Sequence, residues 1–323
     1  MTGTPIAPHG VHLMPCDISA HKAGNTGVDY VTTFDSGAAG SHLMINALTH
    51  GNELCGAHAV KFLLEAGIRP RRGQLTLSFA NVGAYELFDP KYPFVSRFLD
   101  EDFNRLWNEE TLDGLRTSRD LARARKLRPA VDRADYLLDI HSVEIPQPPM
   151  LLAGTQAKGR ALAKGLGAPA HVVIDAGHAA GKRLRDYAAF DDPVKPNAAM
   201  LVECGYHFFP EAVDIAIQTS LRFLKYYDAV DPALLEPHLD TEPAAAQKFI
   251  EVTGPVTIKT DRFVFDRVFE GFEVVPKAGT LIGKDDDKEI RTPYDNCVMV
   301  MPARDPLKGK TAVRLGRLVD GRA

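Results

Sequence analysis

The sequence predicts an α/β fold: a mixed, mostly parallel sheet flanked by helices, followed by a smaller C-terminal all-β domain. Three observations predict it. Apolar runs of strand length alternate with helix-period segments through the first two thirds of the 323 residues, the pattern of a sheet covered by helices. The composition shifts near residue 230, where 231–243 brings three prolines and several acidic residues. Beyond that segment, short β-rich runs separated by Gly, Pro and Asp replace the helical patterns. The expected division is therefore 1–235 and 236–323.

In chain order, strands are expected at 42–48, 75–81, 136–140, 150–153, 171–175 and 199–203. Helices are expected at 54–66, where Leu54, Ala57, Leu63 and Leu64 gather on one side and Gly67 supplies a stop, and at 117–133, 157–166 and 211–227. After the boundary, strands are expected at 256–258, 263–268, 273–275, 280–282 and 297–301. Asp285, Asp286 and Asp287 read as a solvated turn.

Composition excludes several functions. Lys and Arg total 38 against 42 Asp and Glu, a formal net charge of −4, so no global cationic field draws nucleic acid or anionic lipid. A small-molecule substrate is the expected partner. Cys16, Cys55, Cys204 and Cys297 are far apart and form no C-x-x-C pair, which fits a reducing, cytoplasmic setting. No stretch reaches the ~18 apolar residues of a membrane span, and the first residues lack a charged start followed by an apolar run. Oligomeric state stays open; an apolar edge such as 263–268 could pair between subunits to give a homo-oligomer, although internal pairing is simpler.

Four segments carry candidate chemistry. His50-Gly51-Asn52-Glu53 sits between a predicted strand and a predicted helix, where two side chains three apart can converge, and imidazole plus carboxylate suits Zn²⁺. His141 ends a predicted strand, where ligands gather in open α/β sheets, and could be a third ligand; Asp139, on the same face, could orient it. Glu203 ends the apolar run Leu201-Val202, the position of a general base beside a water that must lose a proton. Arg97, Asn104 and Arg105 could bind a carboxylate and a developing oxyanion, or the arginines could pair with Asp100, Glu101 and Asp102 in a solvated network.

Taken in order, His50-Gly51-Asn52-Glu53, the loop opening at Asn81, Arg97 followed by Asn104-Arg105, Asp139-Ile140-His141 and Val202-Glu203-Cys204 resemble the aspartoacylase and succinylglutamate desuccinylase family, within the zinc carboxypeptidase-like fold group. The pattern covers roughly residues 42 to 230, with the C-terminal β domain expected by analogy. The resemblance implies one Zn²⁺ per chain held by His50, Glu53 and His141, with water in the fourth position. It implies Arg97 as the residue that polarises the scissile carbonyl, Asn104 and Arg105 as the grip on the substrate carboxylate, and Glu203 as the base. The implied activity is hydrolysis of the amide in a small N-acylated amino acid or related carboxylate-bearing compound. Departures are also present. Arg183, Arg185 and Tyr187 lie further upstream of Glu203 than the family's substrate-binding Tyr and Arg, so no acyl preference carries over; Cys204-Gly205-Tyr206-His207 replaces the Val-Gly-Pro continuation, leaving His207 either in the pocket or in a solvent-facing loop. A metallocarboxypeptidase and a non-catalytic zinc-binding relative remain alternatives at this level.

Overall fold

The computed structural model describes residues 7, 9–177, 180–241, 244–303 and 305–321. Residues 242 and 243 of the predicted boundary segment, and the opening residues 1–6, lie outside them. The chain runs β1 (Val31–Asp35), β2 (His42–Ala47), α1 (Leu54–Glu65), β3 (Gln74–Phe79), α2 (Val82–Tyr85), α3 (Glu109–Asp113), α4 (Arg119–Arg133), β4 (Tyr136–Val143), β5 (Met150–Leu152), α5 (Ala157–Leu166), β6 (His171–Ile174), β7 (Ala198–Tyr206), α6 (Glu211–Tyr226) and α7 (Pro232–Leu235). Seven strands follow: β8 (Lys248–Thr257), β9 (Phe263–Phe265), β10 (Val274–Val275), β11 (Leu281–Asp285), β12 (Lys288–Arg291), β13 (Cys297–Val300) and β14 (Thr311–Val319).

Eleven strands form one mixed sheet in the order β1-β3-β2-β4-β7-β5-β6-β8-β14-β13-β10, and β12-β11-β9 form a separate antiparallel sheet. The strands β3, β2, β4 and β7 are mutually parallel. These are buried on both faces, which explains why they read as continuous apolar runs. Leu43, Ile45, Leu138, Ile140 and Val202 pack with α1, α5 and α6 on one side, while Met44, Leu137 and Ala199 pack with Leu121, Ala124 and Leu127 of α4 on the other. The opposite face of β4 and β7 from α1 also carries Asp139, His141 and Glu203, because side chains alternate along a strand.

The predicted alternation of strands and helices is present, with three differences. The edge strands β1 and β12 are short and polar, and β14 carries Arg314 and Arg317 within it; none offers an apolar run to read. The strands after residue 243 form the smaller sheet and also extend the main one, since β8 pairs in parallel with β6 and antiparallel with β14. Asp285 is not solvated: it is buried at the end of β11 and accepts hydrogen bonds from the Lys259 and Thr260 amides and the Thr260 hydroxyl, while Asp286 and Asp287 make the turn. All four cysteines are free thiols. Among the described residues no helix is long and apolar enough to cross a membrane.

Candidate active site

The tight turn between β2 and α1 delivers His50 and Glu53. Its backbone is pressed against two neighbours: a Cβ on Gly51 would lie 2.4 Å from the Ala84 carbonyl carbon and 2.5 Å from the Ser96 oxygen. The Gly51 amide also donates to the Arg97 carbonyl at 3.1 Å, so the turn and the Arg97 loop are docked together. Leu48 takes φ +59, a left-handed backbone that costs about 1–3 kcal/mol and clusters at functional sites. Glu53 occupies the N-cap of α1, yet its side chain makes no capping bond and turns toward the histidines.

His50 Nδ1 lies 2.7 Å from Glu53 Oε1, and His141 Nδ1 lies 2.8 Å from Glu53 Oε2. One ligand atom from each of His50, Glu53 and His141 lies within 4.8 Å of the others, and all three residues are buried. Both imidazoles face this point through Nδ1 because Nε2 is held behind. His141 Nε2 is 2.8 Å from Asp139 Oδ2, and His50 Nε2 is 2.9 Å from Asp102 Oδ1. Carboxylates in that position fix tautomer and ring orientation for metal binding. Two imidazoles and one carboxylate with an open side match a catalytic divalent-metal donor set, so these residues could hold a metal ion. Burial alone would raise the Glu53 carboxyl, but the charges and hydrogen bonds of His50 and His141 override it and hold it well below the usual range. Burial likewise disfavours a charged His141, and Asp139 and Glu53 outweigh it, keeping that ring's affinity for a proton well above ordinary.

Glu203 is the direct register partner of His141 on the adjacent parallel strand, so both point to the same side. Its Oε2 is buried with no hydrogen-bond partner among the described residues. Burial is the largest cause that pushes its carboxyl up to about 8, with His141 and Arg97 opposing and Glu53 adding to the rise. A carboxyl tuned toward neutrality can both take and return a proton. His207 is buried in the cleft wall, not in a solvent-facing loop; Ser142 Oγ is 2.7 Å from its Nδ1.

Arg97 reaches the same point from the loop before α3. Its Nη1 is 3.5 Å from Glu53 Oε1 and its Nη2 3.3 Å from Asp102 Oδ2. The buried Asp120 at the start of α4 fixes this loop, accepting from the Leu99, Asp100 and Glu101 amides and from Asn81 Nδ2. The solvated network considered for this loop forms only in part: Asp100 pairs with Arg119 and Glu101 with Arg116, while Asp102 joins Arg97, His50 and, at 3.9 Å, Arg105. Asn104 is buried and spends its Oδ1 on the Leu184 amide.

The seven residues given metal, catalytic or substrate roles in the sequence, His50, Glu53, Arg97, Asn104, Arg105, His141 and Glu203, line one cleft of about 240 Å³, smaller than the ~300–1,000 Å³ of sites for drug-sized ligands, while Asp139 sits behind His141. Asp175, Arg183, His207, Met301 and Arg314 line it too. Sequence reasoning missed Asp102 as the partner of His50 and missed Arg314 altogether. An acidic residue among arginines gives no cue to which histidine it will meet, and β14 lies far along the chain from every motif.

Residues 39–191 match the family model described as Succinylglutamate desuccinylase/Aspartoacylase catalytic domain. The match spans six of the seven residues and ends before Glu203. No curated protein matches. Among solved structures, the chain is similar to a succinylglutamate desuccinylase from Vibrio cholerae, with TM-score 0.66, 16% identity, and 91% and 86% of the two chains covered. A succinylglutamate desuccinylase/aspartoacylase from Rhodobacter sphaeroides gives 0.64, 16%, 91% and 90%. The product-bound ectoine utilization protein EutE (DoeB) from Ruegeria pomeroyi gives 0.57, 15%, 91% and 92%. These likenesses show that the mixed sheet with its C-terminal β strands is the desuccinylase fold.

Proposed function

With the catalytic-domain pattern of the succinylglutamate desuccinylase/aspartoacylase family over residues 39–191 as premise, we propose that this protein is a zinc-dependent amidohydrolase that removes the acyl group from a small N-acylated amino acid or related carboxylate-bearing amide. The observation that carries the reading is the pairing of Glu203 with His141 in register beside the His50, Glu53 and His141 cluster at the base of a small cleft.

His50, Glu53 and His141 would hold one Zn²⁺ per chain, which when bound would supply Lewis acidity toward water and the amide carbonyl. Glu203 takes the proton of the attacking water and returns it to the leaving nitrogen, so an acid and an amine are released with the proton count balanced. Arg97 presents its guanidinium where the carbonyl oxygen gains charge, an electrostatic contribution that is large in a site shielded from water. Asn104 and Arg105 hold the substrate carboxylate, Arg105 through the guanidinium fork. In this reading residues 1–235 form the catalytic unit, residues 236–323 form the β-rich unit, and the protein works in the cytoplasm.

The small cleft, rimmed by Met301 and its neighbours from the β13–β14 connection, sets this reading above a metallocarboxypeptidase, which must admit a longer chain. The test is a hydrolysis panel of N-acyl amino acids and of free and C-terminally blocked dipeptides, with metal content measured on the same sample. About one zinc per chain and turnover confined to N-acyl amino acids is the expected result. Cleavage that requires a free peptide C-terminus supports the carboxypeptidase instead, and bound zinc with no turnover supports a non-catalytic relative.

A further inference from the structure

Arg314 lies on β14, in the C-terminal part of the chain, and lines the same cleft as the metal-site residues. The charges around it are already matched elsewhere. Both Asp175 oxygens are taken by Arg183, at 2.9 Å each, and Asp186 is shared by Arg183 at 2.6 Å and Arg185 at 2.5 Å. Among the described residues Arg314 has no carboxylate within ion-pair distance, and its one hydrogen bond is Nη1 to Met301 Sδ at 3.9 Å, a weak acceptor. Arg105 is held loosely: it donates to the Asn104 carbonyl at 2.6 Å, and among the described residues its one carboxylate contact is Asp102 at 3.9 Å. Burial disfavours the charged form of both arginines; Asp102 opposes this at Arg105 while Arg97, Arg183 and Arg314 add to it, and Asp175, followed by Glu203, opposes it at Arg314.

Two like charges facing one cleft, one with no carboxylate within ion-pair distance among the described residues and the other with a single contact at 3.9 Å, are stabilised by an anion that binds both. We propose that Arg314 is a substrate-binding residue that, together with Arg105, holds the carboxylate on the amine half of the substrate. The amine half follows from the shared cleft: in an N-acyl amino acid the nitrogen that receives the Glu203 proton carries the carboxylate one carbon away, and Arg314 lines the same cleft as Glu203 and Arg105. The proposal rests on the deacylase reading for the identity of the anion but not for its charge. A merely structural Arg314 would neutralise Asp175, which Arg183 already does in a bidentate pair.

The test compares wild-type, Arg314→Met and Arg314→Lys proteins, all zinc-loaded and checked for native circular dichroism. Kinetics use N-acetyl amino acids and their carboxamides. Loss of one charged hydrogen-bonding partner should raise KM for the carboxylates about 10- to 100-fold in Arg314→Met, with a much smaller change in kcat. Arg314→Lys should recover part of the loss, and KM for the carboxamides should not respond to either variant. Calorimetric titration with malonate and malonamide provides a readout independent of turnover: malonate should bind the wild type at least tenfold more tightly than Arg314→Met. If no N-acetyl amino acid is cleaved but malonate binding falls as stated, the deacylase reading fails and the anion site stands. Equal losses for carboxylate and carboxamide, no change in KM and malonate affinity, or no malonate binding by the wild type overturns the proposal.

Discussion

Replacing Asp139 by Asn should weaken zinc binding through the proton on His141. Asp139 is fully buried; its Oδ2 meets His141 Nε2 at 2.8 Å, and its Oδ1 accepts from Asn46 Nδ2 and Thr49 Oγ1, both at 2.8 Å. Asn has nearly the same volume, so packing survives while one acceptor becomes a donor. An amide group turned toward His141 opposes the Nε2–H and drives the proton to Nδ1, the atom that faces the metal site. Turned the other way, it opposes Asn46 Nδ2, which cannot flip without losing the Ser78 hydroxyl that donates to Asn46 Oδ1 at 2.6 Å. Either arrangement forfeits one charge-assisted bond in a site with no solvent to replace it, about 1.5–3 kcal/mol. This corresponds to roughly 10- to 150-fold, in line with the ~10–100-fold seen when such outer partners are removed. The assay is competition for zinc against a chromophoric chelator, with Asp102→Asn as the comparison. Asp102 is 22% exposed and shared with Arg97, so water and the guanidinium soften its loss, and about tenfold or less is expected. An Asp139→Asn affinity within twofold of wild type, or a larger loss in Asp102→Asn, would refute the reasoning.

Other expectations concern the base, its pH response and the turn. Glu203→Gln should retain zinc by elemental analysis while kcat drops by about 10²–10⁴; zinc retention with unchanged turnover removes Glu203 from the mechanism. In the metal-free protein the Glu203 carboxyl titrates near 8 against 4.5 for an ordinary glutamate, so the native state binds the extra proton between those values. Stability of wild type relative to Glu203→Gln should therefore fall as pH rises from about 4.5 to 8, and a flat difference in urea midpoints across that window contradicts it. Gly51→Ala places a methyl group against the backbone of Ala84 and Tyr85 and should destabilise the fold by about 1–3 kcal/mol. Its zinc content should fall with its melting temperature, and a normal value for both means the turn has room to shift.

The convergence of His50, Glu53, His141 and Glu203 was legible in the sequence because mostly apolar runs precede His50, His141 and Glu203 and a helix opens after Glu53. His141 and Glu203 nevertheless lie inside β4 and β7, which continue to Val143 and Tyr206, past the expected ends at 140 and 203. The face each side chain takes then follows from alternation alone. Asp102 and Arg314 were not legible for a different reason. Asp102 reaches His50 only because Asp120, from a helix further along, fastens the intervening loop. Arg314 reaches the cleft only through the register of β14 on β8 and of β8 on β6, which no local pattern encodes. The edge strand β1 escaped because Val31-Thr32-Thr33-Phe34-Asp35 needs only one buried side.

The unbroken run of hydrogen-bonded strands from β1 to β10 has a kinetic consequence. Opening the two halves of the chain like a jaw would mean breaking the β6–β8 ladder, where His171 to Ile174 pair with Lys248 to Glu251 in the middle of the sheet. Substrate entry then involves no parting of the sheet, and any adjustment to the ligand falls to the loops that line the cleft, among them Glu144, Ile145 and Pro302. Ligand binding should accordingly leave the amide protection of the paired 171–174 and 248–251 segments unreduced.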